Sequence, residues 1–133
     1  MQLISTRNNN NSIEALMAVQ KGIASDGGLY VPEYFPKITS GDIKRYSDLS
    51  YSETAAEILA LYFDGLSKEE LRSITKNAYL NFDNKDTVPL VQISKNEYVM
   101  ELFHGPTCAF KDMALQVLPR MMSAAIKKYE DDK

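Results

Sequence analysis

The segment from Met113 to Ile126 is apolar around most of the circumference of the helix that it predicts. Its apolar residues are Met113, Ala114, Leu115, Val117, Leu118, Met121, Met122, Ala124, Ala125 and Ile126. A helix without a polar face is normally covered on several sides inside a protein. Only seven residues follow Ile126, and most are charged, so they cannot supply the further strand that a strand–helix–strand unit needs. We therefore expect an α/β domain that this chain contains only in part.

The same segment contains a residue that breaks helices. A helix is predicted to begin near Phe110 or Lys111 and to run toward Lys128. Thr107 is the predicted cap at its start. Pro119 lies inside this run, where it removes a backbone hydrogen bond and its ring clashes with the preceding turn. We expect a kink or a break just before Pro119.

The first third of the chain predicts a strand, a helix and a loop-rich stretch. Residues 2–6 alternate well enough for one short strand. A helix is predicted to begin near Ser12, which can cap it, and to end at Gly22, because glycine suits a left-handed C-cap. In the stretch that follows, residues 29–31 are predicted to form a short buried strand.

Two further helices are predicted from capping boxes. Ser50 with Glu53, and Ser67 with Glu70, have the spacing at which a serine and an acidic side chain bond reciprocally to each other's backbone amides. Apolar residues then recur at helical spacing after each pair. A short strand and three helices are thus predicted ahead of the strand-like residues that begin at Val88.

From Val88 to Phe103 the sequence predicts an antiparallel hairpin that turns at Lys95 and Asn96. Turn-forming residues precede it and mark a boundary. We therefore expect an N-terminal helical region with short strands over residues 1–86. Residues 87–133 are expected to begin an α/β domain that the chain leaves incomplete.

The composition is that of an ordinary soluble protein. Of the 133 residues, 44% are hydrophobic and 25% are charged, and the net charge is -3. This balance gives no electrostatic reason to expect binding to nucleic acid or to an anionic membrane. The single Cys108 cannot form an intramolecular disulfide, and neither a secretory signal nor an uncharged apolar run of about 20 residues is present. We expect a cytoplasmic location and no metal site.

The residues suited to chemistry lie between Glu101 and Gln116, where the sequence reads ELFHGPTCAFKDMALQ. A strand, a Gly-Pro turn and a helix start place Lys111 where side chains commonly face a ligand crevice. A helix N-terminus disfavours a neighbouring ammonium group, and burial favours the neutral amine that attacks an aldehyde. The adjacent Asp112 acts in the opposite direction, and we expect it to interact with the helix N-terminus or a nearby amide. These residues alone leave the role of Lys111 open.

The run HGPTCAFKD, residues 104–112, resembles the cofactor-lysine segment of threonine synthases of the bacterial and fungal type. Two earlier runs, ISTR and SDGGLYVP, are similar to the opening strand and the following loop of that family. Cys108 is a departure, because leucine is expected at its position. Cysteine is also small and apolar, so we expect it only to pack.

The resemblance implies a fold type II pyridoxal-phosphate enzyme, related in architecture to the tryptophan synthase β subunit. It implies a carbon–oxygen lyase of threonine biosynthesis, which converts O-phospho-L-homoserine and water into L-threonine and phosphate. Lys111 would bind pyridoxal 5'-phosphate covalently and then move protons at the α and β carbons of the substrate. Phe110 could pack against the cofactor ring, although a buried phenylalanine at a helix start is equally well explained as part of the core. The family's glycine-rich phosphate loop is not in this sequence, so we expect the chain alone to be inactive.

Two alternatives remain open at the level of sequence. His104 and Cys108 could act as base and nucleophile, although Gly105 and Pro106 between them argue against a helical spacing. The chain could instead be a non-catalytic interaction module that uses its apolar C-terminal helix. We assign His104 a structural hydrogen-bonding role, and we expect the uncovered apolar face of the helix to promote self-association.

Overall fold

Three antiparallel strands open the chain in the computed structural model, which describes residues 1–130. Strand β1 (Gln2–Ser5) lies in the middle, between β2 (Ser12–Glu14) and β3 (Tyr30–Pro32). Leu3 is opposite Ile13 on one side of β1. The predicted first strand is confirmed, and so is the strand at residues 29–31. The prediction that this last strand is buried is wrong, because its side chains are exposed or half-buried.

Two sequence runs that carry the family resemblance contact each other beside this sheet. The hydroxyl of Ser5, which is fully buried, donates to Asp26 Oδ1 at 2.7 Å. The same carboxylate oxygen accepts from the backbone amide of Gly28 at 2.9 Å. A Cβ atom at Gly28 would lie 2.0 Å from the Ser5 hydroxyl. Glycine is therefore required at this position, because the loop passes directly over the strand.

The first helix, α1, covers Ala15–Lys21 and begins three residues later than predicted. Ser12 pairs in β2 and does not cap the helix. Its predicted capping role is wrong, because pairing with β1 holds residues 12–14 in an extended conformation. The predicted end is confirmed: Gly22 has a left-handed φ of 76°, and its amide donates to Ala18 O at 2.8 Å.

Three more helices precede the hairpin: α2 (Ser40–Tyr46), α3 (Tyr51–Ala60) and α4 (Lys68–Tyr79). The predicted capping boxes at the starts of α3 and α4 are confirmed. The predicted count of three helices is wrong, because α2 makes a fourth. A capping box from Thr39 to Asp42 begins α2, and the spacing of these two residues is visible in the sequence.

The hairpin consists of β4 (Leu90–Ser94) and β5 (Glu97–Met100), which pair antiparallel around Lys95 and Asn96. Its predicted position is confirmed. Every residue of both strands is exposed. The hairpin thus projects from the helical body and forms a wall beside the residues that follow it.

The C-terminal helical segment is divided into α5 (Asp112–Leu115) and α6 (Leu118–Glu130). The division lies at residues 116–117, which confirms the break predicted before Pro119. Pro119 stands in the first turn of α6, where its missing amide is not needed. Thr107 is not the cap of this helix, contrary to the prediction, because Lys111 is the residue at the start of α5.

The hydrophobic core joins both ends of the chain. Its buried members are Leu16, Ala56, Leu66, Leu71, Met121 and Ala125. Helix α6 packs against α1, and α3 packs against α4. Leu115, Leu118 and Ile126 remain 49, 42 and 39% exposed, so the apolar segment is covered on one side only. The predicted regions 1–86 and 87–133 stay a prediction, and residues 131–133 lie outside the described part of the chain.

None of the helices within residues 1–130 combines the length and the apolar character that crossing a membrane requires.

Candidate functional site

Lys111 lies on an open cleft between the hairpin and α5. The cleft has a volume of about 760 Å³. Its lining residues are Tyr51, Val88, Leu90, Met100, Leu102, Phe110, Lys111, Met113, Ala114 and Leu115. Apart from Lys111 and Tyr51, the described residues on its walls are apolar. The cleft therefore presents a single amine among largely apolar walls.

Both predicted site residues, Lys111 and Phe110, line this cleft. The Lys111 side chain is exposed, and Phe110 is 65% exposed. A ring this open contributes little to a core, so it is available for contact with a ligand. No glycine occurs among the cleft-lining residues of the described chain. The described residues thus supply the amine and apolar walls, without the glycine turn that commonly binds a phosphate.

The segment that leads to Lys111 is a series of turns, which we call the lysine loop (residues 104–110). The amide of Cys108 donates to Gly105 O at 3.0 Å. Cys108 has a φ of 58°, in the left-handed region that few residues other than glycine adopt. Its side chain is exposed, so the predicted packing role is wrong. What Cys108 contributes is a backbone conformation.

A buried carboxylate holds the lysine loop. Asp112 is 1% exposed. Its Oδ2 atom accepts from the backbone amide of Thr107 at 2.7 Å and from the Thr107 hydroxyl at 2.9 Å. Its Oδ1 atom accepts from Gln116 Nε2 at 3.4 Å. Burial raises the pKa of Asp112, but the hydrogen bonds from Thr107 and Gln116 outweigh it and lower the pKa below its usual value. The predicted contact with a nearby amide is confirmed.

Gly105 makes this contact sterically possible. A Cβ atom at position 105 would lie 2.4 Å from Asp112 Cβ and 2.6 Å from Asp112 Oδ2. No side chain fits at that distance, so the lysine loop can close on the carboxylate only with glycine here.

His104 stands at the start of the lysine loop between two carboxylates. Its Nδ1 atom is 2.5 Å from Asp83 Oδ1, and its Nε2 atom is 2.8 Å from Glu101 Oε2. The hydrogen bond to Glu101, followed by that to Asp83, raises the pKa of His104 above its usual value. Both ring nitrogens are thus engaged, and neither acts as a base for Cys108. The geometry fits the structural role predicted for His104.

Tyr79 holds α5 through a hydrogen bond, a role that the sequence analysis did not predict. Its hydroxyl donates to the Met113 carbonyl at 3.0 Å. Its ring packs edge-on against Tyr51 and Phe82, with centroid distances of 4.9 and 5.4 Å. Burial raises the pKa of the Tyr79 hydroxyl, which therefore stays protonated as a donor.

Comparisons with known proteins find several relatives of a single kind. The family described as "Threonine synthase N terminus" matches residues 2–79. The chain is 37% identical over 132 residues to the threonine synthase of Schizosaccharomyces pombe, covering 98% of this chain and 26% of that protein. It is 39% identical over 129 residues to the threonine synthase of Pseudomonas aeruginosa, covering 96% and 28%.

A solved structure of a threonine synthase is also similar to this chain. The chain superposes on the PLP-bound threonine synthase of Brucella melitensis with a TM-score of 0.92 and 37% identity, covering 98% of this chain and 28% of that one. This likeness confirms the α/β fold class predicted from the sequence. In each of the three comparisons the chain spans only about a quarter of the relative's length, 26 to 28%.

Proposed function

Because the chain belongs to the threonine synthase family, we propose that it contributes the cofactor lysine, Lys111, to an enzyme that converts O-phospho-L-homoserine and water into L-threonine and phosphate. The observation that carries this proposal is the position of Lys111 at the start of α5, exposed on an otherwise largely apolar cleft. The activity is proposed for a protein of the relatives' length that carries this chain.

The residues on the cleft fit pyridoxal 5'-phosphate, which the Brucella melitensis relative binds. Lys111 has the primary amine that bonds to the aldehyde carbon of this cofactor. Phe110, Leu90 and Leu102 offer apolar surface to a flat ring. When bound, the cofactor supplies an electron sink for the carbanion chemistry of an amino acid.

In this proposal Lys111 has two tasks. It first holds the cofactor through its Nζ atom. With its Nζ atom free, the same side chain would move protons at the α and β carbons of the substrate. Phe110 would pack against the cofactor ring and limit its movement. The reaction class is that of a carbon–oxygen lyase.

A chimeric enzyme tests this proposal directly. The matching segment of the Schizosaccharomyces pombe threonine synthase is replaced by this chain, and the gene is placed in a threonine auxotroph. We expect growth without threonine, and we expect Lys111→Ala to abolish it. Lys85→Ala is the matched control, because Lys85 is also exposed and is also followed by an aspartate. Growth of the Lys111→Ala chimera at the control rate would contradict the proposal.

The purified chimera gives a second readout. Borohydride reduction should fix the cofactor to one peptide, which contains Lys111, and Lys111→Ala should remove the visible absorbance of the bound cofactor. Labelling spread evenly over the exposed lysines would show that Lys111 has no special role.

The interaction-module alternative has less support. Met121 and Ala125 of α6 are 3 and 0% exposed and belong to the core. The face of α6 that carries Met121 and Ala125 is therefore in use within the chain, and only the side with the partly exposed Leu118 and Ile126 is left for a partner. Self-association and a cytoplasmic location stay predictions.

A further inference from the structure

The contact between Asp112 and Thr107 is unusual for an aspartate at the start of a helix. A buried carboxylate is costly unless hydrogen bonds satisfy it. Asp112 does not face solvent; it points back over five residues and binds both donors of Thr107. Each bond is charge-assisted, and such bonds are about twice as strong as neutral ones. The carboxylate therefore acts as a clamp on the lysine loop.

The contact between Asp112 and Thr107 also restrains Lys111, the residue directly before Asp112. Lys111 stands between the end of the lysine loop and Asp112, and α5 is only four residues long. So short a helix does not fix its own orientation, because isolated helical turns are unstable. One end of α5 is held by Asp112, and Tyr79 holds the carbonyl of Met113. These two contacts hold the backbone next to Lys111, and the backbone sets the direction of the Lys111 side chain.

We propose that Asp112 is a positioning residue, whose carboxylate fixes the lysine loop and thereby aims Lys111 into the cleft. This inference rests on the proposed function of Lys111. Gly105, Thr107 and Asp112 then serve one purpose: glycine allows the close approach, threonine supplies two donors, and aspartate accepts both.

Two substitutions of Asp112 separate hydrogen bonding from charge. Both Thr107 bonds end on a single oxygen, Oδ2. The amide oxygen of Asp112→Asn can therefore accept both, and its NH₂ group can donate to the Gln116 side-chain oxygen after the Gln116 amide turns over. Asp112→Ala removes the acceptors altogether. Asp86→Ala is the matched control, because Asp86 also follows a lysine but is exposed.

The experiment uses the chimeric threonine synthase that carries this chain, because the described residues alone supply no glycine turn for the cofactor phosphate. Amide hydrogen exchange is followed by peptide mass spectrometry, and lysine labelling by pyridoxal phosphate is trapped with borohydride. In Asp112→Ala we expect the Thr107 amide to exchange at least about tenfold faster, the factor expected for losing a bond to a charged group. The preference for Lys111 over Lys85 in labelling should disappear. Amides of α4 should exchange at the wild-type rate.

Asp112→Asn should stay within about twofold of the wild type in both readouts, because it keeps the two bonds to Thr107. Thr107→Val provides a further variant if Asp112→Ala does not fold. It removes the hydroxyl bond and keeps the amide bond, so exchange in the lysine loop should rise by an intermediate factor.

Three results would overturn the proposal. They are unchanged exchange in Asp112→Ala, equal behaviour of Asp112→Asn and Asp112→Ala, and faster exchange throughout the chain. The last of these marks a residue that supports only global stability. The proposed function fails in a different way: the chimera with the unchanged chain would then label Lys111 no faster than Lys85.

Discussion

The hydroxyl of Tyr79 donates a hydrogen bond to the backbone carbonyl of Met113, 3.0 Å away and 34 residues later in the chain. This bond connects the last residue of α4 to the short helix that follows Lys111. It ties the region that matches the family's N terminus, residues 2–79, to the segment that contains the proposed cofactor lysine, Lys111.

Tyr79→Phe should reduce the free energy of unfolding by about 1 to 2 kcal/mol, because it leaves the Met113 carbonyl without this donor. The measurement is the midpoint of urea unfolding. Tyr98→Phe is the control, since Tyr98 lies on the hairpin and is 58% exposed. Equal midpoints for the two variants would show that the bond contributes nothing.

The effect of a Cys108 substitution on stability should depend on the backbone conformation at this position and not on the loss of the thiol. At a φ of 58°, a β-branched residue is strained more than an unbranched one. We expect Cys108→Leu to stay within about 0.5 kcal/mol of the wild type, as exposed sites usually do. Cys108→Val should lose about 1 kcal/mol. Thermal unfolding distinguishes them, and a stable Val variant would contradict this reading.

The pKa of His104 should be above its usual 6.5, because Glu101 and Asp83 flank both ring nitrogens. A raised pKa means that the stabilisation is complete below pH 6.5 and is lost as the pH rises through the folded-state value. His104 is the sole histidine, so one NMR signal reports its titration.

Two variants test the origin of this shift. Glu101→Gln should lower the pKa of His104, and Asp86→Asn, an exposed change in the neighbouring loop, should leave it where it was. A pKa of His104 that responds equally to both changes would point to net charge and not to the contact.

Acid unfolding should depend on Glu57. Arg45 donates to this buried carboxylate, burial opposes ionisation, and Lys68 and Arg72 add further bonds, so that its pKa falls to about 2. Because its pKa is lowered, ionised Glu57 stabilises the folded state fully above pH 4.5, and this contribution disappears as the pH falls toward 2. Glu57→Gln should flatten the pH dependence of stability over this window, measured by circular dichroism. Glu33→Gln, an exposed change, should keep the wild-type slope.

Where neighbouring residues alone decide a structure, the sequence predicted it. The capping boxes at Ser50 and Ser67 each need only a serine and an acidic residue three positions later. The break before Pro119 needs only the missing amide and the ring of proline. The spacing of Thr39 and Asp42 carried the same kind of signal, so α2 was predictable by the rule that found α3 and α4.

Errors arose where another pairing competes with a predicted helix cap. Ser12 is a good helix cap, but pairing with Ile4 holds it in β2. Thr107 was predicted to cap a helix, and its two donors bind Asp112 instead. In both cases the alternative partner becomes available only after the chain has packed, when the gain from burial and pairing outweighs the local cap.

The sequence by itself determined the starts of α3 and α4, the hairpin, the break before Pro119 and the family that the segment around Lys111 resembles. Only the tertiary structure decided that Asp112 is buried, that Cys108 takes a left-handed backbone and that Tyr79 holds α5. The physical reason is that these features depend on packing. A cap is satisfied within four residues, whereas the Tyr79 donor meets an acceptor 34 residues away and the carboxylate of Asp112 becomes buried only when the chain packs around it.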